Sequence, residues 1–214
     1  EAMARTTAWA ERALKVERDP RTALFGIVQG ATHLDLRRRH LREMAAMEFD
    51  GLALGGFSVG EPPEVMHELV AELAPELPRE KPRYLMGVGR PLDLVEGVMA
   101  GVDLFDCVMP TRHARNGQLF TSLGRINVSN SRFRSDTSPP DPHCSCPTCQ
   151  RFSMAYLSHL YRKKEILYNE LATTHNLHFY LYLMERLREA IASGEAKEEA
   201  QRWRELGDRK AEAR

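Results

Sequence analysis

Apolar and polar positions recur in a regular order through the first half of the chain. Four short apolar segments, ALFGIVQG (residues 23–30), GLALGG (51–56), RYLMGVG (83–89) and DLFDCVMP (103–110), each end in Gly, Pro or a polar residue. Runs of this kind read as strands buried on both faces. Segments of helical period separate them. Residues 34–47 put Leu34, Leu41, Met44 and Ala45 on an apolar side and leave Arg37, Arg38 and Arg39 for solvent. Residues 63–73 open from EPPE, with proline in the first turn and acids at the positive end of the helix dipole. Residues 91–100 start at Pro91 and stop before Gly101. The order βαβαβαβ predicts a parallel sheet with helices outside it. Four strands cannot close an eight-stranded barrel, so the sheet is either open or half of one.

The texture changes after Pro110. Residues 118–122 and 125–129 flank Leu123-Gly124 and read as a β-hairpin. The Ser/Pro/Asp stretch SDTSPPDPHC is loop. A helix is predicted over residues 152–171, then a turn at TTHN, then a second helix over about 178–192 with Phe179, Leu183, Leu187 and Ile191 on one face. The charged tail GEAKEEAQRWRELGDRKAEAR reads as a helix frayed at its end. The opening EAMARTTAWAERALKV lacks the basic start, apolar centre and cleavage site of a signal peptide, and reads like the middle of a helix. The expectation is a chain that begins inside a longer protein. No apolar run approaches the ~18 residues of a membrane span.

At 43% hydrophobic and 28% charged over 214 residues, the composition is that of a globular protein with a real core and excludes disorder for its bulk. The formal net charge of zero hides an asymmetry. Between Cys107 and Lys164 stand nine basic residues against two acids, a local balance of +7. Such a block suits a polyanion, although a solvated surface reads the same way. Three of the four cysteines, Cys144, Cys146 and Cys149, fall within six residues. An odd cluster in a chain without a secretory signal argues for metal and for a reducing, cytoplasmic setting. Three thiolates and one imidazole make a closed structural Zn2+ set, and the fourth ligand is sought among His143, His159, His175 and His178. His143 abuts the cluster and His159 lies mid-helix, whereas His175 sits at the predicted turn and is chosen.

Chemistry in parallel α/β folds gathers at the carboxyl ends of the strands. Those ends carry Gln29, Gly55 with Gly56, Met86 with Gly87, and Asp106. Gln29 can donate and accept against a heterocycle with an oxo group beside a ring N–H. The two glycines admit a flat ligand to backbone amides. Met86 offers a soft face to an aromatic ring. Asp106 at the lip of an apolar strand can be a nucleophile. Taken singly, each has a plain structural explanation: turn, core or helix cap. Arg112 and Arg115 lie just beyond the last strand, where guanidinium groups can bind phosphates.

The segments GIVQG, GLALGGFSVGE, YLMGVGRP, DLFDCVMPTRHARNG and C-x-C-x-x-C followed by TTHN closely resemble the queuine tRNA-ribosyltransferase (tRNA-guanine transglycosylase) family, in the right order along nearly all of the chain. The resemblance implies a partial (β/α)8 TIM barrel, about its last four βα units, with an inserted zinc-binding subdomain. The implied division is 1–110 for the half-barrel, 111–177 for the hairpin and zinc subdomain, and 178–214 for helices packing back on the barrel. It makes Asp106 the nucleophile on a ribose carbon of tRNA, and Gln29 and the Gly56 amide, beside Gly55, the groups that hydrogen-bond the base. Met86, next to Gly87, packs on the base face. Val59 and Glu61 line the pocket for the exocyclic substituent. Thr111, Arg112 and Arg115 fall in the tract that contacts tRNA, and Cys144, Cys146, Cys149 and His175 are the ligands of one structural Zn2+.

Val59 looks like the bacterial type, in which guanine at the anticodon wobble position is exchanged for 7-aminomethyl-7-deazaguanine in queuosine biosynthesis. A difference of a methyl or two makes this a preference of ~1–3 kcal/mol, not a gate. The family commonly pairs as homodimers through the zinc subdomain and neighbouring helices, and the sequence leaves pairing open. The family's N-terminal part holds four further strands and two further functional aspartates, without counterpart in these 214 residues. Guanine departs poorly as an anion, so the chain by itself is expected to be inactive or to need that half from another polypeptide. Two other classes remain: a non-catalytic tRNA-binding accessory subunit, against which the intact FDC motif speaks, and an unrelated barrel enzyme for a phosphorylated small molecule, which leaves the cysteines unexplained.

Overall fold

The computed structural model describes residues 1–207. The chain divides into two compact units, Glu1–Cys107 and a second beginning at Val108. The first opens with helix α1 (Ala2–Leu14). Strands β1 (Phe25–Val28), β2 (Gly51–Leu54), β3 (Arg83–Leu85) and β4 (Leu104–Phe105) then alternate with helices α2 (Leu34–Ala45), α3 (Pro63–Leu73) and α4 (Pro91–Met99). The strands form one parallel sheet in chain order, β1-β2-β3-β4. Strand β2 is buried throughout, while β1 alternates between half-buried and buried positions. Leu41, Met44, Leu52, Leu54, Met66, Leu73 and Leu85 form the core between sheet and helices.

One expectation for α2 fails. Arg37, expected at solvent with its neighbours, is fully buried. At 100° per residue it shares a face with His40, Leu41 and Met44, which points into the unit. Arg38 does stay outside and bridges Glu72 and Glu76, and Arg39 pairs with Glu43.

The second unit starts with helix α5 (Met109–Arg115), which the apolar pattern does not announce. Strands β5 (Gln118–Thr121) and β6 (Gly124–Asn127) form the predicted antiparallel hairpin. Its turn is Ser122-Leu123 rather than Leu123-Gly124. Thr121 Oγ1 donates to the Gly124 carbonyl at 2.6 Å and accepts from the Leu123 amide at 3.2 Å, so Gly124 is already in strand pairing.

Helices α6 (Pro147–Arg151), α7 (Met154–Lys163), α8 (Ile166–Ser193) and α9 (Ala196–Leu206) complete the unit. The predicted turn at TTHN does not exist. The chain turns instead at Lys164, whose φ of 58° closes α7, and α8 runs unbroken through residues 173–176. His175 and Asn176 tolerate mid-helix positions because both side chains are buried with partners. The expected boundary at 177/178 therefore falls inside a helix. The predicted fraying of the tail lies outside the described residues. Among the described residues no helix is long and apolar enough to cross a membrane.

Candidate active site and metal centre

Strand register builds the first site. Val28 pairs with Leu54, Leu54 with Leu85, and Leu85 with Phe105. The next residue on each strand is Gln29, Gly55, Met86 or Asp106, so these four stand side by side along the carboxyl edge of the sheet. Gln29 lies against the two glycines. A Cβ on Gly55 would stand 3.1 Å from Gln29 Nε2, and one on Gly56 would stand 2.8 Å from Gln29 Oε1. Gly56 also holds φ at +68°, a conformation that side chains resist. Met86 is half-buried, and Gly87 is exposed with φ at +70°.

Asp106 is exposed and makes no ion pair among the described residues. Its Oδ1 accepts the Tyr84 hydroxyl at 2.5 Å and the Gly87 amide at 2.8 Å. Tyr84 pairs with Leu104 across the sheet, and Asp106 lies two residues on, so both side chains emerge on the same face. The Tyr84 hydrogen bond, then that of Gly87, holds the Asp106 carboxyl below the usual carboxylate range. Reciprocally, Asp106 pushes Tyr84 up to about 12. The result is a carboxylate ionised at neutral pH, anchored through one oxygen.

The loop after β2 is held from both sides. Glu61 accepts the amides of Ser58 and Val59, the latter at 3.0 Å. Burial opposes the Glu61 charge, but backbone N–H groups and Arg37 keep its carboxyl below the usual range. Val59 is 79% exposed and open to whatever approaches the loop. Beneath, Arg37 donates to the carbonyls of Ala31, Gly55 and Gly56 at 2.5, 3.0 and 3.3 Å. Burial lowers its pKa to about 10, which leaves it charged at neutral pH. His40, also buried, accepts the Gln29 amide on Nδ1 at 2.8 Å. That bond requires the tautomer with the proton on Nε2. Burial, the largest effect, lowers the His40 pKa and favours this neutral form.

The sequence alone does not mark Tyr84, Arg37 or His40 as site residues. Tyr84 was legible in principle, as a polar-tipped ring two positions before Met86 on a strand paired with that of Asp106. Arg37 and His40 carry no motif, and their roles depend on which face of α2 turns inward.

The second site lies in the second unit. Cys144, Cys146, Cys149 and His175 bring one ligand atom each to within 4.8 Å of one another. His175 Nδ1 is 3.7, 3.5 and 3.2 Å from the three sulfurs in that order. Tetrahedral coordination with metal–sulfur bonds of about 2.3 Å and metal–nitrogen bonds of about 2.0 Å puts sulfur and nitrogen about 3.5 Å apart, so the set fits one metal ion. His175 Nε2 meets the Phe120 carbonyl at 2.8 Å, which fixes its proton there and leaves Nδ1 as a ligand. Cys146 caps α6 and accepts the Cys149 amide at 3.4 Å, which makes the tight turn between them. The other candidate histidines stand apart: His143 and His159 are exposed, and His178 meets Ser145.

Thr111, Arg112 and Arg115 all lie on α5. Arg112 and Arg115 are exposed and one turn apart, so they share a face. Thr111 turns its hydroxyl back to the Val108 carbonyl at 3.2 Å.

The family model described as Queuine tRNA-ribosyltransferase matches residues 1–207. A queuine tRNA-ribosyltransferase of Sorangium cellulosum is 55% identical over 204 residues, covering 95% of this chain and 52% of the relative. Relatives of the same name from Desulforapulum autotrophicum and Moorella thermoacetica are 54% and 52% identical, over 90% and 92% of the chain. The chain spans about half the length of each of these relatives, 52–53%. With the family model matching from end to end of the described residues, this chain belongs to the queuine tRNA-ribosyltransferase family.

Proposed function

We propose that the chain supplies the nucleophile, the base pocket and the metal module of a tRNA-guanine transglycosylase. The observation that carries this reading is the row of Gln29, Gly55, Met86 and Asp106 at one sheet edge, with Asp106 ionised and anchored by Tyr84 and Gly87. A free carboxylate oxygen of Asp106 attacks C1′ of the target guanosine. The C1′–N9 bond breaks, and guanine leaves with its electron pair and takes a proton from a general acid supplied by the portion of the family that this chain does not span. N9 of an incoming 7-aminomethyl-7-deazaguanine then attacks C1′, returns its proton to that same group and releases the Asp106 carboxylate. Two displacements retain configuration, as in retaining glycosidases. Gln29 and the Gly56 amide recognise the base, Met86 covers its face, and Val59 and Glu61 border its 7-substituent.

The chain-ordered parallel sheet has edge strands β1 and β4, and Leu104 of β4 is 45% exposed. Both features suit half of a (β/α)8 barrel whose edges pair with further strands. Cys144, Cys146, Cys149 and His175 hold Zn2+ as a structural ion, since four protein ligands leave no open position. Arg112, Arg115 and Thr111 contact the tRNA backbone. A homodimer through the metal subdomain and a cytoplasmic setting belong to the same reading.

The test is exchange of labelled 7-aminomethyl-7-deazaguanine into tRNA, by the chain alone and by the chain mixed with the portion of a relative that it does not span. Exchange is expected in the mixture and not with the chain alone. Exchange that survives Asp106→Ala refutes the assignment of the nucleophile.

A further inference from the structure

We propose that Arg37 is a positioning residue for base recognition, turning the Gly56 amide outward by holding the carbonyl on the far side of the same peptide plane. The inference rests on the base-exchange reading and adds to it a residue that touches neither base nor sugar. The Gly55–Gly56 peptide is trans, so its C=O and N–H point in opposite directions. Arg37 Nη1 donates to the Gly55 carbonyl at 3.0 Å from beneath the loop. That bond commits the Gly56 N–H to the opposite, outward side, where Gly56 itself is exposed. The next peptide is fixed likewise, by Nη2 on the Gly56 carbonyl at 3.3 Å.

The surroundings mark Arg37 as built for this task. Its side chain is wholly buried, yet its bonds within the unit go to backbone carbonyls and not to a carboxylate. Burying a cation is costly, and here the cost is offset by the bonds to the three carbonyls and by the Glu61 charge nearby. The guanidinium carbon lies 3.6 Å from the centre of the Phe57 ring, a cation–π contact that helps hold it in place. Its stem runs over Gly30, where a Cβ would stand 2.6 Å from Arg37 Cγ. A positive charge on the carbonyl oxygen polarises the peptide, so the Gly56 N–H becomes a better donor to an oxo group on the bound base. Lysine cannot replace this fork, because one ammonium does not span three carbonyls in a plane.

The test uses the full chain as Arg37→Lys and Arg37→Met, complemented by the portion of a relative it does not span, with guanine and 2-aminopurine as probes. 2-Aminopurine lacks the oxo acceptor but keeps the shape and stacking face of the base. Guanine affinity is expected to fall about tenfold or more in both variants, while 2-aminopurine affinity changes less than about twofold. Metal content and tRNA affinity should be unchanged. A general loss of structure would weaken both probes together. Arg37→Lys keeps the stem and the buried charge, so the result does not depend on Arg37→Met folding. Variants that keep the full wild-type preference for guanine over 2-aminopurine overturn the positioning role. A wild-type chain that binds no guanine even when complemented by the portion of a relative it does not span overturns the base pocket of the parent reading, and Arg37's role with it.

Discussion

Replacing Asn176 by Asp changes two hydrogen-bond donors into acceptors without changing shape. Asn176 is wholly buried in α8. Its Oδ1 accepts the Phe120 amide at 3.1 Å, and its Nδ2 donates to the carbonyls of Pro110 and Gln118 at 3.0 Å each. One side chain thus ties α8 to α5 and to β5. In Asn176→Asp the first bond survives and the two carbonyls face a carboxylate. Each stranded acceptor costs about 1–3 kcal/mol, so the pair costs about 3 kcal/mol after modest relaxation. For a unit of this size that is a fall in melting temperature of roughly 12–24 °C.

The penalty also has a pH sign. Burial raises the folded-state pKa of the new carboxyl above its unfolded value, so the folded state binds more protons and loses stability as pH rises. The protonated form regains one donor. Thermal melts followed by circular dichroism at about pH 5 and about pH 8 should show the larger deficit at the higher pH. Metal content is measured in parallel, since His175 is adjacent. A melt within about 2 °C of wild type, or a deficit that grows on acidification, refutes the reasoning.

Chelation should remove one zinc per chain and unfold residues 139–176 while the parallel-sheet unit keeps its structure. Clearly less than one zinc per chain by metal analysis contradicts the Cys144/Cys146/Cys149/His175 assignment. Tyr84→Phe removes the strongest influence that depresses the Asp106 pKa. That depression favours the carboxylate and is lost as pH falls through the folded-state value, so the acid limb of base exchange should move to higher pH. An unmoved limb argues against Asp106 as the titrating group. Arg112→Ala should weaken tRNA binding and reduce the slope of log affinity against log salt by about 1, for any tRNA sequence. An unchanged slope removes Arg112 from the phosphate-binding set.

The βα rhythm was legible because strands buried on both faces and helices with one apolar stripe leave different spacings. Pro63–Leu73 is delimited in sequence by its opening proline and in space by the residues found. The nucleophile candidate was legible as a polar residue ending an apolar run, and the metal ligands as cysteine density. What stayed hidden depended on tertiary context. TTHN reads as a turn because Thr, His and Asn are indifferent helix formers, yet burial of His175 and Asn176 overrides local preference. Arg37 reads as solvent-facing because charge normally is, and only the inward turn of its α2 face puts it under the Gly55–Gly56 loop. Tyr84 reads as strand filler until the register of β3 and β4 places its hydroxyl on Asp106. Helix α5 is short, and its sequence MPTRHAR has no clear amphipathic stripe to announce it.

The reaction proposed here passes through a covalent bond between one carboxylate and an RNA sugar. The most direct measurement traps that bond: the chain, complemented by the portion of a relative it does not span, is incubated with tRNA and a 7-deazaguanine, denatured and digested. Mass spectrometry of the peptide around FDCVMP should find a ribose-linked nucleotide on Asp106, absent from Asp106→Ala. A nucleotide on another residue, or tRNA exchange with no adduct and undiminished in Asp106→Ala, would contradict the account at its centre.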